Sequence, residues 1–267
     1  MDSNTLRLNA QNIRKNIIRA GLVGGHAHFG GSLSVAEILS VLFGRVMRID
    51  ANEPEMKPRD RFILSKGHCA LGLYAALHEF GFLTEEQLMS FNQNGGDFPT
   101  HCVRNLRYGI EVSSGSLGMG LSFGIGQALA LKGESNVFVL AGNGEINEGS
   151  FWEAAMFAGS HGIGNICLIV DDNRMQLDGF SEDIMPNVNW GECLSSFGWN
   201  VVENDGHDID SLSESLSNRS ISRPYALVAH TIKGKCISFM ENNPDWHHNS
   251  LTEEQYQNAL SELEALK

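Results

Sequence analysis

The chain has 267 residues, of which 19 are Lys or Arg and 32 are Asp or Glu, so its formal net charge at pH 7 is −13. This acidic balance excludes a protein that binds the phosphate backbone of nucleic acids. A hydrophobic fraction of 42% allows a full core and excludes a disordered chain. No apolar run approaches the roughly 18 to 20 residues of a membrane span, and the N-terminus lacks the apolar segment of a signal peptide. We therefore expect one domain over 1–267, in the cytoplasm, that contacts neither nucleic acid nor a membrane.

The first part of the chain carries helical patterns. Apolar residues recur near helical spacing over 10–22, and Ser34 and Glu37 have the spacing of a capping box. Five of the 29 glycines fall in the segment 113–131. Its small residues predict a helix that packs closely against another backbone.

Short apolar runs, rich in β-branched residues, alternate with helical segments through the rest of the chain. We predict strands at 61–65, 136–141, 165–170, 199–203 and 225–229. The helix between the second and third strands is predicted to begin with a second capping box, from Ser150 to Glu153. This alternation predicts a doubly wound α/β fold, in which a parallel sheet has helices on both faces.

Two polar loops follow neighbouring strands of the predicted sheet. Gly142, Asn143, Gly144 and Glu145 follow one strand, and an Asp-Asp-Asn sequence that ends at Asn173 follows the next. The carboxyl ends of parallel strands meet at one edge of the sheet, where ligands bind in open α/β folds. Side-chain oxygens and a phosphate there suit a hard cation such as Mg²⁺ or Ca²⁺. Taken alone, the two loops are somewhat more typical of a tight turn and an ordinary polar loop than of a ligand site, because short glycine turns are common.

The same loops belong to a longer series of motifs. Gly142-Asn143-Gly144 with Asn173 downstream is similar to the thiamine diphosphate motif of transketolases, and further segments agree in order. These segments are 28–34, 60–68, 98–101, 109–120, 198–208, 230–242 and 246–247. The chain therefore resembles the N-terminal, diphosphate-binding part of a transketolase, present as a separate subunit of a split enzyme.

The resemblance implies a site for thiamine diphosphate and for Mg²⁺ or Ca²⁺. The implied metal ligands are Asn143, Asn173 and the backbone carbonyl of Met175. The implied cofactor-binding residues are His68, Gly115, Leu117, Gly142, Gly144, Glu145, Asn173 and His247. The implied catalytic residues are His28, His101 and His247, because histidines near a sugar can move a proton as a carbonyl adduct forms or breaks.

Other titratable residues are predicted to lie outside this site. The histidines in this group are His78, His161, His207, His230 and His248. His26 stays open, because only His28 has the family's spacing to the following glycines. Lys66 and Lys235 are predicted to be solvated loop charges.

Two departures from the family pattern bear on specificity. Asn143 replaces the family's metal-binding Asp, which predicts weaker metal binding. Ala27 and Phe29 replace the usual Gly and Pro beside His28, which indicates a substrate other than the common pentose phosphates.

The resemblance implies transfer of a two-carbon ketol unit from a ketose or ketose phosphate to an aldehyde acceptor. The partner would be a second subunit with the pyrimidine-binding and C-terminal domains, in an α2β2 assembly. Two alternatives stay open. One is half of a thiamine-dependent 2-oxo acid decarboxylase or dehydrogenase, and the other is a non-catalytic scaffold subunit whose metal site has degenerated.

Overall fold

A computed structural model describes residues 1–186 and 188–266 of the chain. Lys267, the predicted end of the domain, lies outside the described residues. The strands are β1 (Arg61–Leu64), β2 (Val137–Gly142), β3 (Ile166–Asp172), β4 (Asn200–Asp205) and β5 (Tyr225–His230). The α-helices are α1 (Ser3–Gly24), α2 (Phe29–Leu33), α3 (Ala36–Val41), α4 (Ala70–Glu79), α5 (Glu85–Met89), α6 (Gly120–Leu131), α7 (Gly149–Ser160), α8 (Ser181–Ile184), α9 (Trp190–Ser196), α10 (Ile209–Ser217) and α11 (Glu253–Ala265).

The strands form one parallel sheet in the order β1-β2-β3-β5-β4. Alternate side chains of the buried strands enter two different hydrophobic clusters. Phe138 and Leu140 pack with residues of α1, α3 and α4, whereas Val137 and Val139 pack with residues of α6 and α7. Helices therefore cover both faces of the sheet, and the predicted doubly wound fold is confirmed, with small shifts at the strand ends.

Only residues 120–131 of the glycine-rich segment are helical, and this helix packs closely, as predicted. Helix α6 lies against the sheet, and a Cβ atom at Gly124 would come within 2.6 Å of Val139 Cγ2. Only a residue without a side chain fits that contact. None of the described helices is long and apolar enough to cross a membrane.

Both predicted capping boxes are wrong. Helix α3 begins after Val35, because the Ser34 hydroxyl instead donates to Gly31 O and to Asp171 Oδ2 in the interior. Helix α7 has Glu148 at its N-cap, two residues before the predicted Ser150, and no side chain caps it. Tertiary hydrogen bonds and loop geometry override the local pattern at these two helix starts.

Candidate active site

A cavity of about 310 Å³ opens at the carboxyl edge of the sheet. Its wall comes from the loops that follow β1, β2, β3 and β5, together with the segments around residues 28, 101 and 115. Every residue predicted for the site lines it. These residues are His28, His68, His101, Gly115, Leu117, Gly142, Asn143, Gly144, Glu145, Asn173, Met175 and His247. The fold therefore brings them together from distant parts of the chain, although their individual roles stay predictions.

Four histidines form a continuous cluster in this cavity. His28 is central, with ring centroids 5.2 Å from His68, 5.4 Å from His247 and 5.7 Å from His101. The rings of His68 and His247 stack at 5.3 Å. A ligand in the cavity therefore meets several imidazoles at once.

Three of these residues, His28, His68 and His247, are called here the inner histidines, and they are neutral at physiological pH. Burial, and then the neighbouring histidines, lower the pKa of His28 to about 3. Burial, and then the charge of Lys233, lower the pKa of His247 to about 4, and burial with the charge of Lys66 holds the pKa of His68 well below its usual range. A neutral imidazole has one donor and one acceptor nitrogen. These rings can therefore bind a ligand's polar groups and exchange a proton with them.

Asn143 and Asn173 follow adjacent strands, in which Gly142 pairs with Asp171. Asn143 Nδ2 donates to Ser181 Oγ at 2.6 Å. Asn173 Nδ2 donates to Asp171 Oδ2 at 2.9 Å, and its Oδ1 accepts from Met175 N at 3.1 Å. Hydrogen bonds thus orient both amides, through the nitrogen of Asn143 and through both the nitrogen and the oxygen of Asn173.

Met175 lies in an isolated antiparallel bridge with Phe180. The two hydrogen bonds of the bridge are made by its neighbours, from Gln176 N to Gly179 O and from Ser181 N to Arg174 O. In such a non-hydrogen-bonded pair the residue's own carbonyl points away from its partner strand. The Met175 carbonyl is therefore directed away from the hairpin and is available to a ligand.

The prediction for Lys66 is wrong. Its side chain is 1% exposed, and its ammonium group donates to the carboxylate of Asp171 and to Gly31 O. Burial opposes the charge, but the proximity of Asp171 raises the pKa of Lys66 to about 12. Lys66 is thus a permanent buried cation in the cavity wall, whereas Lys235 is half-buried beside Glu241, on the protein surface.

Sequence reasoning missed Lys233. Its ammonium group lies 2.9 Å from His247 Nδ1 and 3.2 Å from Gln176 O in the cavity. Burial and the charge of Lys66 lower its pKa to about 8. The signal in the sequence was its place in the matched segment 230–242, just after a strand that ends at the site.

Glu145 holds the loops of the site together. Its carboxylate accepts hydrogen bonds from Ser65 Oγ, from Gly118 N at 3.0 Å and from Gly142 N at 3.1 Å. The side chain is buried, and burial raises its pKa. Glu145 thus joins three loops by hydrogen bonds, and a contact with the cofactor remains a prediction.

His248 does not line the cavity and is exposed, as predicted, but it lies directly beside a histidine that does. Its ring lies 4.4 Å from His28, and His26, which the sequence left open, stacks on His248 at 5.7 Å. The other histidines predicted outside the site do lie away from the cavity. His207 contacts Glu37, and His230 contacts Asp172 and Glu203.

Comparison with known proteins identifies the family. Residues 13–264 match the family model described as transketolase, thiamine diphosphate binding domain. The chain belongs to this family. It is therefore a transketolase-type subunit that corresponds to the N-terminal part of a split transketolase, and thiamine diphosphate is the cofactor of its family, as the sequence predicted.

Curated relatives of similar length are named as subunits. The chain is 39% identical over 245 residues to a 6-deoxy-6-sulfo-D-fructose transketolase subunit of Clostridium sp. (strain MSTE9), covering 90% of this chain and 89% of that one. It is 36% identical over 270 residues to an apulose-4-phosphate transketolase subunit of Phocaeicola vulgatus, covering 98% of this chain and 95% of that one.

Solved transketolases share the fold. The transketolase of Campylobacter jejuni superposes with a TM-score of 0.91 at 27% identity, covering 99% of this chain and 43% of that one. The transketolase of Leishmania mexicana gives a TM-score of 0.91 at 26% identity, covering 97% of this chain and 41% of that one. The chain thus spans about two fifths of the length of these solved enzymes.

Proposed function

We propose that this chain is the diphosphate-holding subunit of an enzyme that transfers a two-carbon ketol unit from a ketose or ketose phosphate donor to an aldehyde acceptor. One observation carries the proposal: a single cavity gathers neutral histidines, two asparagine amides and buried lysines at the carboxyl edge of the sheet. The relatives named as transketolase subunits support the same reaction.

The cavity fits the anionic end of thiamine diphosphate. Lys233 is buried, and among the described residues it pairs with no carboxylate. A buried ammonium group is costly without a counter-charge, and a diphosphate supplies one. We assign His68, His247 and the backbone N–H of Gly144 to the diphosphate. When bound, thiamine diphosphate supplies the electron sink for breaking a carbon–carbon bond next to a carbonyl.

The opposite end of the cofactor would meet backbone rather than charge. Gly115 has a φ of 143°, and a Cβ atom there would lie 3.5 Å from His101 Cδ2. That distance is an ordinary van der Waals contact, so it is the positive φ that favours glycine at this position. We assign the backbone of Gly115 and Leu117 to the aminopyrimidine ring.

The divalent cation, Mg²⁺ or Ca²⁺, would be held by Asn143, Asn173 and the carbonyl of Met175. The hydrogen bonds to Ser181 and Asp171 use the amide nitrogens. The Asn173 oxygen accepts one hydrogen bond from Met175 N and keeps a second lone pair, so both side-chain oxygens can bind a hard cation. No carboxylate takes part in this set, so the diphosphate provides the negative charge next to the cation.

His28 and His101 would act on the substrate. Both line the cavity, with ring centroids 5.7 Å apart, and an imidazole can hold a sugar hydroxyl and take or return its proton. Proton transfer at this point is what making and breaking of a ketol carbonyl adduct requires.

A partner subunit would complete the site. Neighbouring helices α6 and α7 expose the apolar side chains of Phe123, Leu129, Met156 and Phe157, each more than 40% exposed. Exposed apolar clusters of this kind mark protein interfaces. We assign this surface to a subunit with the pyrimidine-binding and C-terminal domains, in a closed α2β2 assembly.

The test is an activity assay on the chain copurified with the product of the neighbouring open reading frame. We expect two-carbon transfer from ketoses or ketose phosphates to aldehydes, dependent on thiamine diphosphate and Mg²⁺. Activity with 2-oxo acids alone would favour the dehydrogenase alternative. A complex that binds neither cofactor nor metal in calorimetry would favour the scaffold alternative.

A further inference from the structure

Residues 26–28 and 248–250 lie side by side as a short antiparallel pair, of which His28 lines the cavity. Ala27 N donates to Asn249 O at 3.0 Å, and Asn249 N donates to Ala27 O at 3.1 Å. Successive side chains in an extended segment point to opposite sides. The fully buried Ala27 points into the core, so His26 and His28 share the other side.

The pairing also places His248 on this side. Because Ala27 and Asn249 form the hydrogen-bonded pair, His28 and His248 form the adjacent pair across the two strands. Their rings are 4.4 Å apart, and His26 stacks on His248 with an angle of 22° between the ring planes. His26 and His248 thus extend the inner histidine cluster outward to solvent.

The rings of His26 and His248 have no hydrogen-bond partner in the described part of the chain. His207, His230, His161 and His78 each make a ring hydrogen bond to protein, as a structural histidine does. Neither His26 nor His248 makes one among the described residues, and both are exposed. Two adjacent, exposed imidazoles therefore lie on the solvent side of His28, which lines the cavity.

We infer that His248 and His26 bind the hydroxyl-bearing carbon chain of the sugar substrate, beyond the carbon at which it reacts. This inference rests on the proposed function, because a ketose donor or an aldose acceptor is what extends from the inner histidines through this entrance. It gives the chain a part in substrate specificity, separate from its part in cofactor binding.

Hydroxyl groups match these rings better than an anion does. Burial, together with neighbouring His26 and His101, lowers the pKa of His248, so the ring is neutral at physiological pH. A neutral imidazole offers one donor and one acceptor, and a hydroxyl group also has both. A phosphate or sulfonate has only acceptor atoms, so it would bond to the donor nitrogen of a neutral imidazole and leave the acceptor nitrogen unused. Neither of the two paired segments, 26–28 and 248–250, contains a Lys or Arg that could hold an anion.

The test uses the complex formed with the partner and compares two donors. One is a hydroxyl-rich ketose that the wild-type complex accepts. The other is hydroxypyruvate, whose ketol carbon is bonded to a carboxylate that leaves as CO₂, with the bonding electron pair retained by the two-carbon fragment. Hydroxypyruvate has no hydroxyl chain beyond the reacting carbon.

In His248→Ala and in His26→Ala, we expect the KM for the ketose to rise about threefold to tenfold, as the loss of one hydrogen bond predicts. The kcat should change by less than about twofold, and kcat/KM for hydroxypyruvate should stay at the wild-type value. His248→Asn keeps a donor and an acceptor, so it should restore most of the affinity for the ketose.

Three results would overturn the assignment. An equal loss of kcat/KM with both donors would mean that the pair supports the structure of the whole cavity. The melting temperature and the affinity for thiamine diphosphate of each variant would then fall as well. An unchanged KM for the ketose in both alanine variants would remove the pair from the substrate. A wild-type complex that is inactive with every donor would reject the proposed function itself, and with it this assignment.

Discussion

Lys66 and Asp171 form a buried ion pair that supports the second asparagine of the site. Asp171 also accepts hydrogen bonds from Ser34 Oγ and Asn173 Nδ2, each at 2.9 Å, and from Thr231 Oγ1. Burial alone would raise the pKa of Asp171, but the Lys66 charge and these donors lower it. The carboxylate is therefore ionised and holds Asn173 in place.

Removing the lysine should strongly destabilise the fold. In Lys66→Met the Asp171 carboxylate stays buried without its counter-charge, which costs about 3 to 5 kcal/mol of unfolding free energy. Denaturant unfolding at pH 7 measures this loss. The double variant Lys66→Met/Asp171→Asn removes both charges and should recover part of it, and the surface control Lys235→Met should change little. Equal stability of the Lys66 single variant and wild type would contradict the structure of this pair.

The buried strands could be predicted from the sequence because their apolar, β-branched runs are a local signal. The runs over 136–141 and 165–170 are buried on both faces of the sheet, which is what such runs indicate. The loops after these strands then had to meet at one edge, so the sequence alone was enough to place Asn143 and Asn173 together.

The contacts that the sequence did not predict are those between residues far apart in the chain. No residue near Lys66 in the sequence indicates that its side chain is buried. The burial depends on an ion pair with Asp171, which lies more than a hundred residues later. His248 lies beside His28 only because Ala27 pairs with Asn249. Lys233 was missed although it follows a predicted strand, because its contact with His247 joins two separate segments. Local patterns carry no information about such contacts.

Lys233 should make diphosphate binding dependent on pH. Its pKa is lowered to about 8, and a bound anion would favour the charged form. Above pH 8 the free protein must take up a proton to bind, so affinity should fall by up to about tenfold per pH unit. Calorimetry of the assembled complex with inorganic diphosphate between pH 7 and pH 9 measures this.

The matched variants are Lys233→Met and Lys235→Met. The first should bind more weakly at pH 7 and show a flat pH profile over the same range, whereas the second should behave as wild type. A wild-type affinity that stays constant from pH 7 to pH 9 would show that Lys233 does not contact the diphosphate.

Asn143→Asp should tighten metal binding. The substitution places a full negative charge on a side chain that we assign to the cation, and carboxylates are stronger ligands for Mg²⁺ than amides. We expect about a tenfold gain in affinity, equivalent to about 1.4 kcal/mol. Calorimetry with Mg²⁺ in the presence of thiamine diphosphate measures it. Asn52→Asp adds the same charge in an exposed turn and is the control; if both variants bind Mg²⁺ as wild type does, Asn143 is not a ligand.

His101→Ala should separate catalysis from cofactor binding. His101 is exposed on the outer side of the histidine cluster, 5.7 Å from His28, whereas Lys233, which we place beside the diphosphate, is buried. We expect kcat to fall or the donor KM to rise, with the affinity for thiamine diphosphate within about twofold of wild type. Steady-state kinetics and a cofactor titration on the same preparation distinguish the two effects. Loss of cofactor affinity would instead assign His101 to the diphosphate.

The chain on its own should be catalytically inert. Thiamine catalysis needs a carboxylate beside the aminopyrimidine, and by resemblance to transketolases that glutamate belongs to the partner subunit. Glu145, a buried carboxylate of the cavity wall, is already held by Ser65, Gly118 and Gly142. Purified alone, the chain should therefore catalyse no ketol transfer, and its exposed apolar surface on α6 and α7 should promote self-association.

Adding the partner subunit should restore activity in proportion to the complex formed, with two chains of each kind per assembly. Analytical ultracentrifugation gives the stoichiometry, and activity measured across a titration of the partner gives the proportionality. Phe157→Glu places a charge in the proposed interface and should weaken assembly and activity together. Leu8→Glu, at an exposed position of α1, should affect neither. Robust turnover by the isolated chain would refute both the split site and the assignment of the missing glutamate to the partner.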